Sequence, residues 1–349
     1  MAISKMRAAL LTGIGQFALQ ELPAPQIQQD DEVLVRIRMV GVCGSDIHYF
    51  TSGRIGTSLV KFPFVIGHEA AGMVEAVGAG VTRVRPGQRI AIDPARSCGR
   101  CDQCLNHREN TCRILRFLGA PDQLPGCLCE LVVLQELQCY PVPEGMSFEQ
   151  ATLSEPLAVG VYAVERAGLS AGAHAAVLGA GPVGLAVLHV LRARGTGPLY
   201  VTEKIAARLT YASRLQPQWA GNPDQEDIEG TIRQLAPLQL DAVFECSGTL
   251  EAIHQGIHLL KPGGRLVLIG IPDEDEVVLP IHELRRKEID ILNIRRQAYC
   301  TEKAIELLAQ RQVDMEAMAT HHFPLEKSAD AFKLVAARAD GVIKAMITL

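Results

Sequence analysis

No stretch of this 349-residue sequence approaches the roughly 20 consecutive apolar residues that a membrane-spanning helix needs. The longest apolar run, Ala175–Leu191, is broken by glycines and a proline. The opening Met1-Ala2-Ile3-Ser4-Lys5-Met6-Arg7 places no long apolar run after its basic residues, as a secretory signal would, so a cytoplasmic protein is expected. Excess positive charge is also missing. With 34 Lys+Arg against 39 Asp+Glu the net charge is -5 and the pI about 6.1, which argues against a nucleic-acid or membrane-surface partner and leaves a small molecule. Repeats and low-complexity tracts are missing as well. What is present is ordinary for a globular enzyme, 48% hydrophobic and 21% charged. The length exceeds what one hydrophobic core serves, so two domains are expected.

The first part of the chain carries short β-like runs, Glu32–Met39, Ala71–Val77 and Gln88–Ile92, split by glycine and proline. From about Leu157 strands and helices alternate, the pattern of a parallel sheet with crossover helices. Strands are expected at His174–Leu178, Leu199–Thr202, Ala242–Cys246, Arg265–Ile269 and Ile289–Ile294, with a largely buried helix at Pro182–Arg194. Glu302–Arg311 and Lys327–Ala337 read as amphipathic helices, and Val342–Leu349 as a strand whose partner the sequence does not reveal. The fold class is therefore α/β, a mostly-β domain joined to a doubly wound parallel sheet.

Gly179-Ala180-Gly181-Pro182-Val183-Gly184 is a G-x-G-x-x-G loop between an apolar strand and a helix. The first glycine suits a tight turn, the second a close approach to pyrophosphate and the third close packing of helix on strand. The helix N-terminus offers free N–H groups to phosphate, and Pro182 fits its first turn. Glu203 ends the next strand roughly 20 residues on, where a carboxylate accepts from the ribose 2′-hydroxyl of NAD and repels the 2′-phosphate of NADP. Lys204 and Arg208 nearby weaken that preference.

Of the 10 cysteines, four form Cys98-x2-Cys101-x2-Cys104-x7-Cys112. Four thiolates in one loop close a tetrahedron around zinc with no position left for substrate, so the role is structural. An iron–sulfur cluster uses the same ligands and is the alternative. Cys127, Cys129, Cys139, Cys246 and Cys300 are scattered. A catalytic zinc needs about three protein ligands and an open position. Gly41-Val42-Cys43-Gly44-Ser45-Asp46-Ile47-His48, Gly67-His68-Glu69 and Ser154-Glu155-Pro156 supply candidates: Cys43 and His68, with Glu69 and Glu155 competing for third place.

These motifs together carry a resemblance. Gly67-His68-Glu69-x2-Gly72-x5-Gly78-x2-Val81 resembles the signature of zinc-containing medium-chain alcohol dehydrogenases. Ser45-Asp46-Ile47-His48-Tyr49 with Gly53-Arg54-Ile55-Gly56 is similar to the sorbitol (L-iditol) dehydrogenase branch. The resemblance covers essentially the whole chain. It implies a GroES-like catalytic domain over residues 1–156 with a zinc lobe at 98–112, a Rossmann NAD-binding domain over 157–297, and a return of 298–349 to the catalytic domain. It implies two zinc ions per chain, NAD+, and a catalytic zinc at Cys43, His68 and Glu69 with Glu155 near the metal. Ser45 and His48 become a proton relay, histidine titrating near neutrality. Pro182, Val183, Arg208, Cys246 and Ile269 become cofactor contacts, and Tyr49 a substrate contact. A homodimer or homotetramer is implied, commonly through the nucleotide-domain sheet edge. The reaction implied is oxidation of a secondary hydroxyl of a polyol or sugar-derived alcohol to a ketone.

One segment departs from the branch. Where it carries Phe-Arg-Tyr, this chain has Arg295-Arg296-Gln297. Arg296 matches the family arginine, and the extra guanidinium of Arg295 suits a carboxylate, so a sugar acid is an alternative substrate. L-Threonine and butanediol dehydrogenases are rivals within the superfamily. Zinc-free quinone reductases and non-catalytic crystallin-like relatives of this superfamily are rivals of another class, disfavoured by Cys43 and His68-Glu69, and a nucleotide-sensing protein is disfavoured by the metal set with Ser45 and His48.

Overall fold

The computed structural model describes residues 4–349, and the chain divides into two compact units. The first comprises the chain up to Glu155 with Thr301–Arg311 and Met315–Leu349; the second comprises Pro156–Cys300 with Gln312–Asp314. Among the described residues no helix is long and apolar enough to cross a membrane.

The first unit is built on a seven-stranded sheet. Its strands run Cys139–Pro141, Arg89–Ile92, Glu69–Val77, Glu32–Gly41, Lys344–Thr348 and Ala319–Pro324 in spatial order, and Leu131–Gln135 also pairs with Glu32–Gly41. Glu32–Gly41 alternates fully and partly buried positions before ending in a buried run. That is the pattern of a strand with one face on the core. The C-terminal tail, whose strand partner the sequence does not reveal, enters as an interior strand: Met346 pairs with Gly41 antiparallel and with His322 in parallel. Lys5–Gly13 and Gln16–Pro23 form a separate hairpin. Phe17 from that hairpin, Phe50 and Phe332 meet at ring-centroid distances of 4.9–5.7 Å. Phe50 belongs to the short helix Gly44–Ser52, so this aromatic contact fixes the helix that carries the first metal motif.

The second unit holds a six-stranded, wholly parallel sheet. The order is Trp219–Gly221, Leu199–Thr202, Ala175–Leu178, Leu240–Glu245, Leu260–Leu268 and Asp290–Asn293, which is 3-2-1-4-5-6 by position in the chain. This is the Rossmann order. Ala175–Leu178 and Leu199–Thr202 are buried throughout, as strands covered on both faces must be. The helix Pro182–Ala193 is buried from Gly184 to Leu191. The unusual Gln216-Pro217-Gln218-Trp219 segment makes a turn with Gln216 at φ 53, after which Trp219 joins the sheet and packs on the core.

Candidate metal centres and dinucleotide loop

Cys98, Cys101, Cys104 and Cys112 bring their sulfurs within 4.8 Å of one another. Separations are 3.9 Å for Cys98–Cys104, 3.6 Å for Cys101–Cys104 and 3.9 Å for Cys101–Cys112. A Zn–S bond of about 2.3 Å gives a tetrahedral edge of about 3.8 Å, so these sulfurs fit zinc and no disulfide joins them. Backbone N–H groups near Arg113 and Cys104 hold the Cys101 thiol down to about 6, while burial lifts that of Cys104 to about 12. The lobe is braced by Arg113, whose guanidinium donates to Asp102 at 2.9 Å.

The second set of donors assembles from distant segments of the first unit. Cys43 is the extended residue before helix Gly44–Ser52, and the Ser45 hydroxyl donates to its sulfur at 3.3 Å. His68 directly precedes strand Glu69–Val77 and is buried. Its Nδ1 lies 3.2 Å from Oδ1 of Asp46, a wholly buried carboxylate. A proton on Nδ1 in that contact leaves Nε2 as the lone-pair atom for a metal, the usual carboxylate–histidine arrangement behind a ligating imidazole. Burial opposes the imidazolium, but Asp46 and Cys43 outweigh it and raise His68 well above the ordinary range. Cys43 is thereby a close neighbour of His68. Burial pushes the Glu155 carboxyl up to about 7; His68 opposes the shift and Glu69 adds to it. These donors are less tightly gathered than the cysteine lobe. Among the described residues only the four cysteines bring three or more donor atoms within 4.8 Å. Cys43 and His68 fit a metal by donor chemistry and by the orienting contacts of Ser45 and Asp46.

Glu69 has a different partner. Both of its oxygens accept from Nζ of Lys344, at 2.6 and 2.8 Å, and both residues are 1% exposed. His48 is partly buried on the site helix. Tyr49, expected to contact substrate, is buried at 8% exposure in the core of the first unit, because the helix phase that exposes Gly44 turns Tyr49 and Phe50 inward.

In the second unit the glycine loop meets its expected constraints. Gly179 has φ 95, and a Cβ there would stand 2.8 Å from the Ser247 nitrogen. A Cβ on Gly184 would lie 1.9 Å from the Gly179 carbonyl oxygen, so no side chain fits the third position. Gly181 has open space, with Arg208 nearest at 3.7 Å, leaving room for a pyrophosphate. Pro182 and Val183 open the helix, and Cys246 packs its Cβ toward Gly184. Ile269 is partly buried just after strand Leu260–Leu268. Glu203 is buried and its oxygens accept from the Ala180 and Ile205 nitrogens at 2.8 and 2.9 Å, tying the loop to the next strand. Lys204 pairs with Asp224 at 2.7 Å and lies 3.7 Å from Glu251, so its cation is already neutralised. Arg295 is exposed; Arg296 is partly buried with φ 56.

Sequence reasoning missed three residues here. Asp46 stood inside a motif without a role. Lys344 is a single cation in an apolar tail. Glu245 ends an apolar strand, and its Oε1 accepts from the Ser247 nitrogen (2.7 Å), the Ser247 hydroxyl (2.6 Å) and the Gly248 nitrogen (2.8 Å), shaping the turn against which Gly179 packs.

Comparison with known proteins agrees with both halves of the site. The family model for an alcohol dehydrogenase GroES-like domain matches residues 29–144, and that for a zinc-binding dehydrogenase matches residues 182–310. The chain is 34% identical to a sorbitol dehydrogenase of Bacillus subtilis, covering 98% of this chain and 97% of that one. It is 36% identical to the sorbitol dehydrogenase of Homo sapiens, covering 92% and 90%. An alcohol dehydrogenase from Escherichia coli, solved with NADH, superposes with a TM-score of 0.90 at 28% identity over 99% of this chain and all of that one. The cofactors are accordingly zinc and a nicotinamide dinucleotide, and the chain belongs to the zinc-dependent medium-chain dehydrogenase superfamily, in its sorbitol dehydrogenase-like branch.

Proposed function

We propose that the protein oxidises a secondary hydroxyl of a polyol or sugar-derived alcohol to a ketone, passing hydride to NAD+. The observation that carries this reading is the Cys43–His68 donor pair, oriented by Ser45 and Asp46, in a chain similar throughout its length to sorbitol dehydrogenases. When bound, zinc supplies the Lewis acidity that favours loss of the hydroxyl proton, and the nicotinamide accepts the hydride. Cys43 and His68 would hold the catalytic zinc, with Glu155 or Glu69 as the further carboxylate. Cys98, Cys101, Cys104 and Cys112 would hold the structural one. Asp46 keeps the His68 imidazole in the tautomer that presents Nε2. Ser45 carries the released proton toward His48, which passes it to solvent. Gly179, Gly181 and Gly184 seat the pyrophosphate. Glu203 receives the ribose hydroxyls, and the pairing of Lys204 with Asp224 removes a cation that would otherwise welcome a 2′-phosphate, favouring NAD over NADP.

Arg295 supports a second reading, a sugar acid as substrate, because it is exposed and its guanidinium matches a carboxylate. The same reading includes a cytoplasmic homodimer or homotetramer, to be measured by light scattering on the eluting peak. The deciding experiment follows NADH absorbance across polyols, aldonates, L-threonine and butanediols, with and without a chelator. Chelator-sensitive turnover of polyols is expected. Aldonates turned over best would select the sugar-acid reading, and turnover of threonine or a diol alone would overturn the polyol assignment.

A further inference from the structure

Leu240–Glu245, fourth of the parallel strands in chain order, ends in a carboxylate that is 1% exposed and that the reaction above leaves unused. A buried carboxylate is expensive unless donors surround it. Burial pushes the Glu245 carboxyl up, and the Ser247 hydroxyl with the backbone N–H groups of Gly248 and Ser247 opposes the shift. All three donors fall on Oε1, at 2.6–2.8 Å. They close the turn that leads from the strand into helix Leu250–Leu259. Thr249, which caps that helix, belongs to the same turn, its nitrogen donating to the Ser247 hydroxyl at 3.3 Å.

Three loops at the carboxyl ends of the strands meet around this turn. On one side is the glycine loop, where Gly179 packs on the Ser247 nitrogen. On the other is the loop that follows the fifth strand, Leu260–Leu268. A Cβ on Gly248 would stand 2.5 Å from the Ile271 carbonyl oxygen. A Cβ on Gly270 would stand 2.2 Å from the Gly248 nitrogen and 2.7 Å from Oε2 of Glu245. The carbonyl of Glu245 adds to the join, accepting from the Ile269 and Gly270 nitrogens at 2.9 and 3.0 Å. Oε1 therefore holds the turn, Oε2 faces Gly270, and one residue sets the spacing between the loop of the first strand and that of the fifth. In a sheet of order 3-2-1-4-5-6 a dinucleotide lies across the switch between the first and fourth strands, one mononucleotide to each half. Strands one to three carry the glycine loop and Glu203, the ADP end. Strands four to six are left for the nicotinamide mononucleotide.

We propose that Glu245 is a positioning residue that sets the span between the glycine loop and residues 269–271, and so fits the nicotinamide half of the cofactor to the half already seated by its pyrophosphate. The inference rests on the dinucleotide site described above and is independent of the substrate. Glu245 acts through the two loops, as an acceptor at a fixed place, and its negative charge is not what the cofactor reads.

Dissociation constants for NADH and for ADP, measured by calorimetry on the zinc-loaded protein without substrate, read this directly. Glu245→Met leaves the donors of the turn unpaired and is expected to weaken NADH by about tenfold or more, with ADP held within about threefold. Glu245→Gln keeps an acceptor oxygen and is expected to hold NADH within about threefold of the wild type. Gly270→Ala drives a Cβ between the loops without touching the donors to Oε1. It too is expected to lose NADH selectively, and the double variant Glu245→Met/Gly270→Ala to lose less than the two single changes together, because both act on one spacing. Gly270→Ala also serves should Glu245→Met not fold. A variant of either kind that melts earlier but binds NADH as the wild type does has lost only a structural contact and overturns the proposal, as does an equal loss of NADH and ADP. NADH lost as far in Glu245→Gln as in Glu245→Met would assign the effect to charge and overturn it as well. A wild-type protein that binds neither ligand would overturn the dinucleotide site itself.

Discussion

The cysteine lobe and the Cys43–His68 centre would use zinc in opposite ways. The lobe draws all four donors from residues 98–112, and its sulfurs already stand at tetrahedral spacing. The other centre would draw on positions 43 and 68 with 69 or 155, spread over strand ends and a helix, and Cys43 and His68 are oriented by neighbours without being closed around a point. Local donors make a staple that replaces core. Distant donors make a site whose geometry is set by the sheet and which keeps room for a substrate.

The comparison breaks first at activity. Cys43→Ser or His68→Ala is expected to lower kcat by roughly a thousandfold, the equivalent of about 4 kcal/mol, with one of two zinc ions lost and the melting temperature little changed. Steady-state kinetics with metal analysis checks this. Cys101→Ser should do the converse: the lobe loses its zinc, and calorimetry is expected to show a fall of roughly 10 °C, while the folded fraction still turns over substrate. If both variants lose activity and stability alike, the division of labour is wrong. Asp46→Asn acts more gently. It should weaken metal at the Cys43–His68 centre by about 10–100-fold in chelator competition and leave the lobe untouched.

Acid stability sharpens the comparison by separating metal loss from ordinary burial. His189, in the second unit, is pushed down to about 4 by burial and lies 3.1 Å from the Tyr211 hydroxyl. A histidine depressed on folding stabilises fully above its ordinary 6.5 and progressively less as pH falls toward 4. Between pH 7.5 and 5 that contribution should shrink by roughly 2 kcal/mol. His189→Gln is expected to lose less melting temperature over that interval than the wild type. Equal losses would assign the acid sensitivity to other groups, the metal ligands first.

What the sequence made legible follows the same divide. The cysteine lobe, the glycine loop and the parallel strands are local patterns, and each appears where its spacing puts it, as at Leu199–Thr202. The Glu69–Lys344 pair was not legible, because nothing near position 69 names a partner 275 residues away. The burial of Tyr49 was not legible either. The residue sits in a motif full of site residues, yet helical phase turns it into the core beside Phe50. The strand order adds what the sequence did not show, by delivering a lysine to Glu69.

That strand order also bears on how the polypeptide is made. Lys344–Thr348 leaves the ribosome after every other strand of its sheet, yet it lies inside that sheet between Glu32–Gly41 and Ala319–Pro324. Until Lys344–Thr348 is made, residues 39–41 lack their partner on that edge and Glu69 lacks the Lys344 ammonium, whereas every strand of the parallel sheet has already been synthesised. The nascent chain is therefore expected to hold a finished nucleotide-binding half and an unfinished zinc half, exposed to aggregation at that edge. A ribosome that stops before codon 344 would release a chain deprived in one stroke of an interior strand and of the lysine that pairs with Glu69.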